Sequence, residues 1–166
     1  MVIWILGLSG SGKSYLSNQI KKKFKKKFIS IDGDVIRDMF GNDLGHSLKD
    51  RKVNAMRISK LVAYLSKSKI DVIVSVLSIF PEWLRWNKKN IKNYNEVFLD
   101  VSIDELKKRN NKYIYFNKKK IKRKNVVGVD IKFPRPKNPD LILNNEFSKK
   151  NLIENLNIIK KKFKIK

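Results

Sequence analysis

The chain has 166 residues, 42% of them hydrophobic, which is enough for one domain with a sizeable core. It has no cysteine and one histidine, which excludes disulfide bonds, thiolate zinc sites and metal sites built from several histidines. The formal net charge of +24 indicates either an anionic partner or, as we favour, a lysine-rich composition carried on solvated helix faces. The sequence has no apolar run long enough to span a membrane and no signal-peptide pattern, so we expect a cytoplasmic protein without a membrane partner.

The first predicted element is an apolar strand, Val2–Leu6, followed directly by Gly7–Ser14. These eight residues read G-x-x-x-x-G-K-S, the P-loop pattern, whose backbone N–H groups form an anion nest at the start of a helix. We expect Lys13 to reach the β- and γ-phosphates of ATP as a catalytic group, and the Ser14 hydroxyl to bind Mg²⁺. The predicted ATP-binding residues of this segment are Gly7, Ser9, Gly10, Ser11, Gly12, Lys13 and Ser14.

Strand and helix patterns alternate along the rest of the chain. After the helix that starts at Lys13, they predict a strand at Phe28–Ile31, helices at Val35–Phe40 and Leu48–Lys67, a strand at Asp71–Leu77, a helix at Pro81–Ile91, a strand at Glu96–Val101, a helix at Ile103–Arg109, a strand at Leu141–Leu143 and a helix at Ser148–Lys164. This alternation predicts an α/β fold, a three-layer P-loop NTPase fold with a central parallel sheet of about five strands flanked by helices. We expect residues 1–166 to form a single P-loop kinase domain, with the irregular residues 110–140 as a lid insertion.

Two carboxylates, Asp32 and Asp34, follow the second predicted strand. Ligands of parallel sheets bind at the carboxyl ends of the strands, so this pair is expected to face the P-loop. One carboxylate can hold Mg²⁺ or its waters, and the other can accept a proton from an attacking hydroxyl. The alternative is a polar turn that only caps the next helix. The strand Asp71–Leu77 ends without an acidic residue, where an ATPase often carries one, which favours a small-molecule kinase.

Further motifs follow in order, namely Asp32-Gly33-Asp34-x-x-Arg37, Leu44-Gly45-His46-Ser47, Asp50-Arg51-x-x-Asn54 and Val127-Gly128-Val129-Asp130. Together with the P-loop they resemble the adenylyl-sulfate (APS) kinase family over nearly the whole chain except the last helix. The resemblance implies transfer of the ATP γ-phosphate to the ribose 3′-hydroxyl of a nucleotide, most directly adenylyl sulfate in sulfate assimilation. It also implies ATP as co-substrate, Mg²⁺ as cofactor and a possible homodimer.

The resemblance also implies individual roles. Asp34 matches the proposed general base, Asp32 a catalytic neighbour that with Ser14 holds Mg²⁺, and Arg109 an ATP-binding arginine close to the base. The residues that match acceptor-binding positions are Arg37, His46, Arg51, Asn54, Val126 and Lys132. Arginine suits phosphate or sulfate oxygens, and asparagine can bind a sugar or a base edge.

Two positions depart from the family. His46 and Val126 stand where members carry phenylalanine rings that sandwich the adenine of the acceptor. Stacking on an aromatic ring contributes on the order of 1–3 kcal/mol per base. A branch of the family phosphorylates a cytidine diphosphate derivative in capsule polysaccharide modification, and a pyrimidine would suit these smaller side chains. Cytidine diphosphoramidate is therefore the alternative acceptor.

A second class of function is a nucleic-acid end kinase or binder, suggested by the charge of +24 and the P-loop. The sequence carries no recognised nucleic-acid-binding motif, so we expect nucleic acid to be an unlikely partner. A non-catalytic P-loop protein is disfavoured, because Lys13, Ser14 and both carboxylates are intact.

Overall fold

The structure, a computed structural model, describes residues 1–109, 115 and 124–165. Its strands are β1 (Val2–Leu6), β2 (Ile29–Asp32), β3 (Val72–Val76), β4 (Tyr94–Leu99) and β5 (Leu141–Leu143). They form one parallel sheet in the order β2-β3-β1-β4-β5. The strand that leads into the P-loop is therefore the central one, and the five parallel strands flanked by helices confirm the predicted fold class.

Helices cover both faces of the sheet. They are α1 (Lys13–Lys23), α2 (Gly33–Met39), α3 (Leu48–Lys67), α4 (Pro81–Asn90), α5 (Ile103–Lys108) and α6 (Lys149–Phe163). Successive side chains of a strand point to opposite faces, so Val2, Trp4 and Leu6 enter the cluster that includes α3 residues. Ile3 and Ile5 enter the other cluster, with residues of α1 and α6. Within the described part of the chain, none of the helices combines the length and the apolar character that crossing a membrane requires.

Two elements start two residues earlier than predicted, each for an identifiable reason, and every other start lies within one residue of its prediction. β4 runs from Tyr94 to Leu99, two residues earlier than predicted, because Tyr94 pairs with Val2 of the central strand. α2 begins at Gly33 rather than Val35, because the Asp32 side chain accepts the backbone N–H of Asp34 at 3.1 Å and so caps the helix. The pair Asp32 and Asp34 thus lies at the carboxyl edge of the sheet and also forms the start of α2.

A third apolar cluster lies at the carboxyl edge of the sheet, beside the P-loop. We call it the edge cluster; its buried members are Leu8, Ile79, Val101, Leu106 and Val127. Val127 anchors the turn of residues 126–131, in which the Val126 carbonyl accepts three backbone N–H groups. The remainder of the predicted lid falls partly on residues 110–114 and 116–123, which lie outside the described residues.

Candidate active site

Two glycines of the P-loop are required by its geometry. A Cβ at Gly7 would lie 2.7 Å from the backbone oxygen of Leu99, so the loop passes too close to β4 for any side chain. Gly12 has φ +94° and precedes α1, where a Cβ would also crowd the Phe147 ring at 3.1 Å. α1 has no side-chain cap and no acidic residue in its first turn, so its N–H groups suit an anion.

The side chain of Lys13 bonds within the P-loop, and that of Ser14 bonds to a residue outside it. The Lys13 ammonium donates to the Leu8 carbonyl at 2.7 Å, on the loop itself. The Ser14 hydroxyl donates to Oδ2 of Asp32 at 2.6 Å, across to the end of β2. This contact brings together the two residues that were predicted to hold Mg²⁺.

The donor set of this pair fits Mg²⁺. A hydroxyl and a carboxylate oxygen are hard ligands of the kind that Mg²⁺ binds, usually together with phosphate oxygens and waters. Across residues 1–109, 115 and 124–165, no cluster of three or more metal-ligating carboxylate, imidazole or thiolate side chains occurs. Ser14 and Asp32 are therefore suited to hold a Mg²⁺ that arrives with a nucleotide rather than to form a closed metal cage.

Asp34, the predicted base, lies on the first turn of α2 with its side chain 83% exposed. Its Oδ1 is 3.5 Å from Nη1 of Arg37, a loose ion pair, and the same Nη1 donates to the Gly33 carbonyl at 3.3 Å. Asn54 is buried, and its amide donates to the Gly33 carbonyl at 3.1 Å, while its Oδ1 is a buried acceptor with no hydrogen-bond partner among the described residues. Asn54 thus supports the Gly33 peptide from inside the fold.

Arg51 bridges the two loops that carry His46 and Val126. Its Nε donates to the His46 carbonyl at 2.9 Å, and its Nη2 donates to the carbonyl of Asn125 at 3.1 Å. The structure therefore joins His46 and Asn125 through one arginine, although they are 79 residues apart in the sequence. Lys132 lies exposed farther along the second loop, and its predicted role stays a prediction.

Arg37 and Arg51 give the part of the site around His46 and Asp34 a positive charge. Burial and the neighbouring Arg37 guanidinium lower the pKa of Arg51, while Asp34 opposes that shift. Partial burial lowers the pKa of His46, and the charges of Arg51 and Arg37 lower it further. A neutral His46 next to two arginines suits the binding of an anionic, base-bearing ligand.

Arg109 lies on the other side of the P-loop, just after α5. The Glu105 carboxylate accepts its Nε at 3.2 Å and its Nη2 at 3.1 Å, and the carbonyl of Asn145 accepts the same Nη2 at 2.9 Å. The guanidinium carbon lies 3.5 Å from the centroid of the Phe147 ring. A flat cation stacked on an aromatic ring beside Gly12 is well placed for a nucleotide base.

Sequence reasoning missed the loop after β5. Asn145 donates from its amide to the Ser11 carbonyl at 2.7 Å, and the half-exposed Phe147 packs against Gly12 and Arg109. The available signal was the position of the loop at the carboxyl end of a strand, where ligands of parallel sheets bind. Tyr115 packs on the edge cluster and donates its hydroxyl to the Ser9 carbonyl at 2.8 Å.

Comparison with known proteins gives a consistent result. The sequence matches the adenylylsulphate kinase family over residues 1–144. The cytidine diphosphoramidate kinase of Campylobacter jejuni is 35% identical over 97% of this chain and 95% of its own length. The adenylyl-sulfate kinase of Deinococcus deserti is 31% identical over 87% of this chain and 82% of its own length. The Mycobacterium tuberculosis APS kinase CysC, solved with AMPPNP and APS, has a TM-score of 0.85 at 29% identity, covering 98% of this chain and 96% of that one. The chain therefore belongs to the adenylylsulphate kinase family, whose named relatives are kinases with an alcohol group as phosphate acceptor.

Proposed function

We propose that this protein transfers the γ-phosphate of ATP to the ribose 3′-hydroxyl of a nucleotide acceptor. The observation that carries the proposal is a continuous chain of contacts from the P-loop to the arginines. Ser14 binds Asp32 at 2.6 Å, Asp32 binds the backbone of Asp34 at 3.1 Å, and the Asp34 carboxylate faces Arg37 at 3.5 Å. A phosphate donor and an anionic acceptor bound at the two ends of this chain would meet at Asp34.

The proposed chemistry follows from these positions. Asp34 accepts the proton of the attacking hydroxyl, whose oxygen bonds to the γ-phosphorus while the bond from that phosphorus to the β–γ bridging oxygen breaks. Lys13 and the P-loop N–H groups hold the phosphates and the leaving ADP. Mg²⁺, held by Ser14 and Asp32 when it is bound, neutralises charge on the phosphates.

For the acceptor, we propose cytidine diphosphoramidate ahead of adenylyl sulfate, which the sequence motifs alone placed first. His46 and Val126 offer less stacking surface than two phenylalanines, and a pyrimidine needs less of it than a purine. The Campylobacter jejuni relative that carries this activity in its name also matches along almost its whole length. Adenylyl sulfate is the second candidate, because several relatives and the structural neighbour are named for it.

An assay of ADP release with ATP and each acceptor tests both the kinase activity and the identity of the acceptor. We expect turnover with cytidine diphosphoramidate at a kcat/KM about tenfold or more above that with adenylyl sulfate, the equivalent of one lost stacking contact. The reverse ratio would assign adenylyl sulfate. If neither acceptor supports ADP release, the proposed kinase function itself is contradicted.

Restoring the missing rings is a sharper test of the acceptor. The double variant His46→Phe/Val126→Phe should shift the ratio of kcat/KM values toward adenylyl sulfate. The matched double variant His46→Leu/Val126→Leu changes the same positions without adding rings, and it should leave the preference unaltered. The cytoplasmic location, the possible homodimer and the unlikely role of nucleic acid stay predictions.

A further inference from the structure

Two carbonyl groups of the P-loop are held from outside the loop by side chains. The Tyr115 hydroxyl donates to the Ser9 carbonyl at 2.8 Å, from 106 residues away in the sequence. The Asn145 amide donates to the Ser11 carbonyl at 2.7 Å, across 134 residues. The two accepting carbonyls thus belong to alternate residues of the loop, and each donor comes from a different part of the chain.

The planarity of the peptide bond turns these contacts into a constraint on the phosphate site. In a trans peptide the carbonyl of one residue and the N–H of the next point in opposite directions. Holding the Ser9 carbonyl toward Tyr115 therefore directs the N–H of Gly10 the other way, and holding the Ser11 carbonyl does the same for Gly12. Both glycines have positive φ, so their peptides lack the usual restriction by a Cβ and can rotate readily.

The side chains of Tyr115 and Asn145 are themselves held in place by further contacts. The Tyr115 ring packs against the edge cluster, and burial raises the pKa of its hydroxyl to about 12, so it stays a donor at neutral pH. Asn145 is fixed at two further atoms, because its carbonyl accepts Nη2 of Arg109 at 2.9 Å and its Oδ1 accepts the N–H of Phe147 at 3.0 Å. Groups held in this way keep their geometry before a ligand arrives.

We propose that Tyr115 and Asn145 are positioning residues that pre-organise the anion nest, keeping the N–H groups of Gly10 and Gly12 directed at the donor phosphates. Neither side chain needs to touch the nucleotide to do this. The inference rests on the proposed function only in that the P-loop binds ATP, and it does not depend on which acceptor is used.

Pyrophosphate binding isolates this role, because pyrophosphate engages the nest but carries no base or ribose. Tyr115→Phe removes one oxygen atom and leaves the packed ring in place. We expect it to weaken the affinity for pyrophosphate and for ADP, each measured by calorimetry with Mg²⁺, by roughly three- to tenfold, as for the loss of one hydrogen bond. The matched control is Tyr94→Phe, which removes a hydroxyl that donates to buried Glu96 at 3.3 Å in another part of the fold. Its pyrophosphate affinity should equal that of the wild type.

A second pair of variants tests the role of Asn145. Asn145→Ala removes the donor to Ser11, and we again expect a loss of about threefold or more in pyrophosphate affinity. Asn155→Ala is its control, because Asn155 donates to the carbonyl of Asn144 at 2.8 Å and so supports the same loop without bonding to Ser11. Thermal melts of all four variants show how much of each effect is general loss of stability.

The outcomes separate the two proposals. Weaker pyrophosphate binding in Tyr115→Phe or Asn145→Ala than in its control supports the inference. Affinities within about twofold of wild type in both, or equal losses in the controls, overturn it. A wild-type protein that binds neither pyrophosphate nor ADP would overturn the proposed function instead. Retained kcat with a raised KM for ATP is the expected kinetic counterpart, since the nest holds donor phosphates in the ground state as well as in the transition state.

Discussion

The hydroxyl of Ser14 and the carboxylate of Asp32 are joined by a hydrogen bond of 2.6 Å, although the two residues belong to different elements of the fold. The other oxygen of the same carboxylate accepts the N–H of Asp34 at 3.1 Å and caps α2. One side chain therefore serves the predicted Mg²⁺ site with one oxygen and the stability of a helix with the other.

These two roles of Asp32 can be separated by substitution. Asp32→Asn keeps a capping oxygen but removes the charge, so the free energy of unfolding should change little, since asparagine caps helices about as well as aspartate. Asp32→Ala removes both and should lower that free energy by about 1 kcal/mol. Both variants should lose at least about a hundredfold in kcat, the scale found for one missing electrostatic partner of a transition state. Urea unfolding and ADP release measure the two effects, and equal destabilisation by both substitutions would show that the cap contributes nothing.

Removal of the P-loop ammonium should abolish measurable turnover. Lys13→Ala removes the ammonium group that is expected to reach the transferred phosphate, so we expect ADP release to fall by more than about a hundredfold. Lys21→Ala, an exposed position at the end of the same helix, is the matched control and should retain normal activity. Full activity of Lys13→Ala would refute the site assignment.

The proposed base predicts a defect confined to the chemical step. Asp34→Asn cannot accept the proton of the hydroxyl, and we expect kcat to fall by roughly 10²–10⁴. The affinity for ADP should stay unchanged, because the Asp34 carboxylate is exposed and contacts Arg37, and in the proposed chemistry it acts on the acceptor hydroxyl rather than on the donor phosphates. Asp38→Asn, on the exposed side of the same helix, is the comparison variant. A normal kcat for Asp34→Asn would assign the proton to another group.

His46 should make the folded protein sensitive to mild acid. Partial burial and the charges of Arg51 and Arg37 lower its pKa in the folded state, against the opposing pull of the Asp34 and Asp50 carboxylates. The unfolded chain then takes up a proton at about pH 6.5, before the folded chain does. Stability contributed by the neutral form is complete above that pH and is lost as the pH falls through the lowered folded pKa.

Thermal melts between pH 7.5 and pH 5 check this sign. The melting temperature of the wild type should fall more steeply over that range than that of His46→Gln, which cannot titrate. Parallel curves would show that His46 takes up its proton equally in both states. A saturating anionic acceptor should flatten the wild-type curve, because it offsets the charges of the two arginines.

Much of the fold could be predicted because its signals are local. Val2–Leu6 is an uninterrupted apolar run, as a central strand buried on both faces requires, and the P-loop follows it without a gap. Ser47, Ser102 and Ser148 each accept an N–H three residues ahead, so three helix starts were marked by one recurring residue type. The start of β4, by contrast, depends on its pairing with β1, which no window of sequence contains.

The residues of the candidate site likewise fall into those that local motifs predict and those that only tertiary contacts bring to the site. Asp32, Asp34 and the glycines sit in short motifs whose spacing carries their chemistry. Asn145 and Phe147 sit in no motif, and their positions depend on contacts with Ser11, Gly12 and Arg109 that only the folded chain brings together. Asn54 is an intermediate case. Its motif identified it as a candidate site residue, but only the structure shows that its amide bonds to the Gly33 carbonyl.

The order of the strands has a consequence for how such a protein can change over time. Because β1 is central, Asp34, Arg37 and Arg51 approach the P-loop from the β2 and β3 flank, while Arg109 and Phe147 approach it from the β4 and β5 flank. Four of the six predicted acceptor-binding residues lie on the first flank, and Arg51 joins them to the loop of Val126 through the Asn125 carbonyl. A lineage built on this sheet could therefore change its phosphate acceptor by substitutions on the first flank and in that one loop, while Arg109 and Phe147 stay in place beside the P-loop.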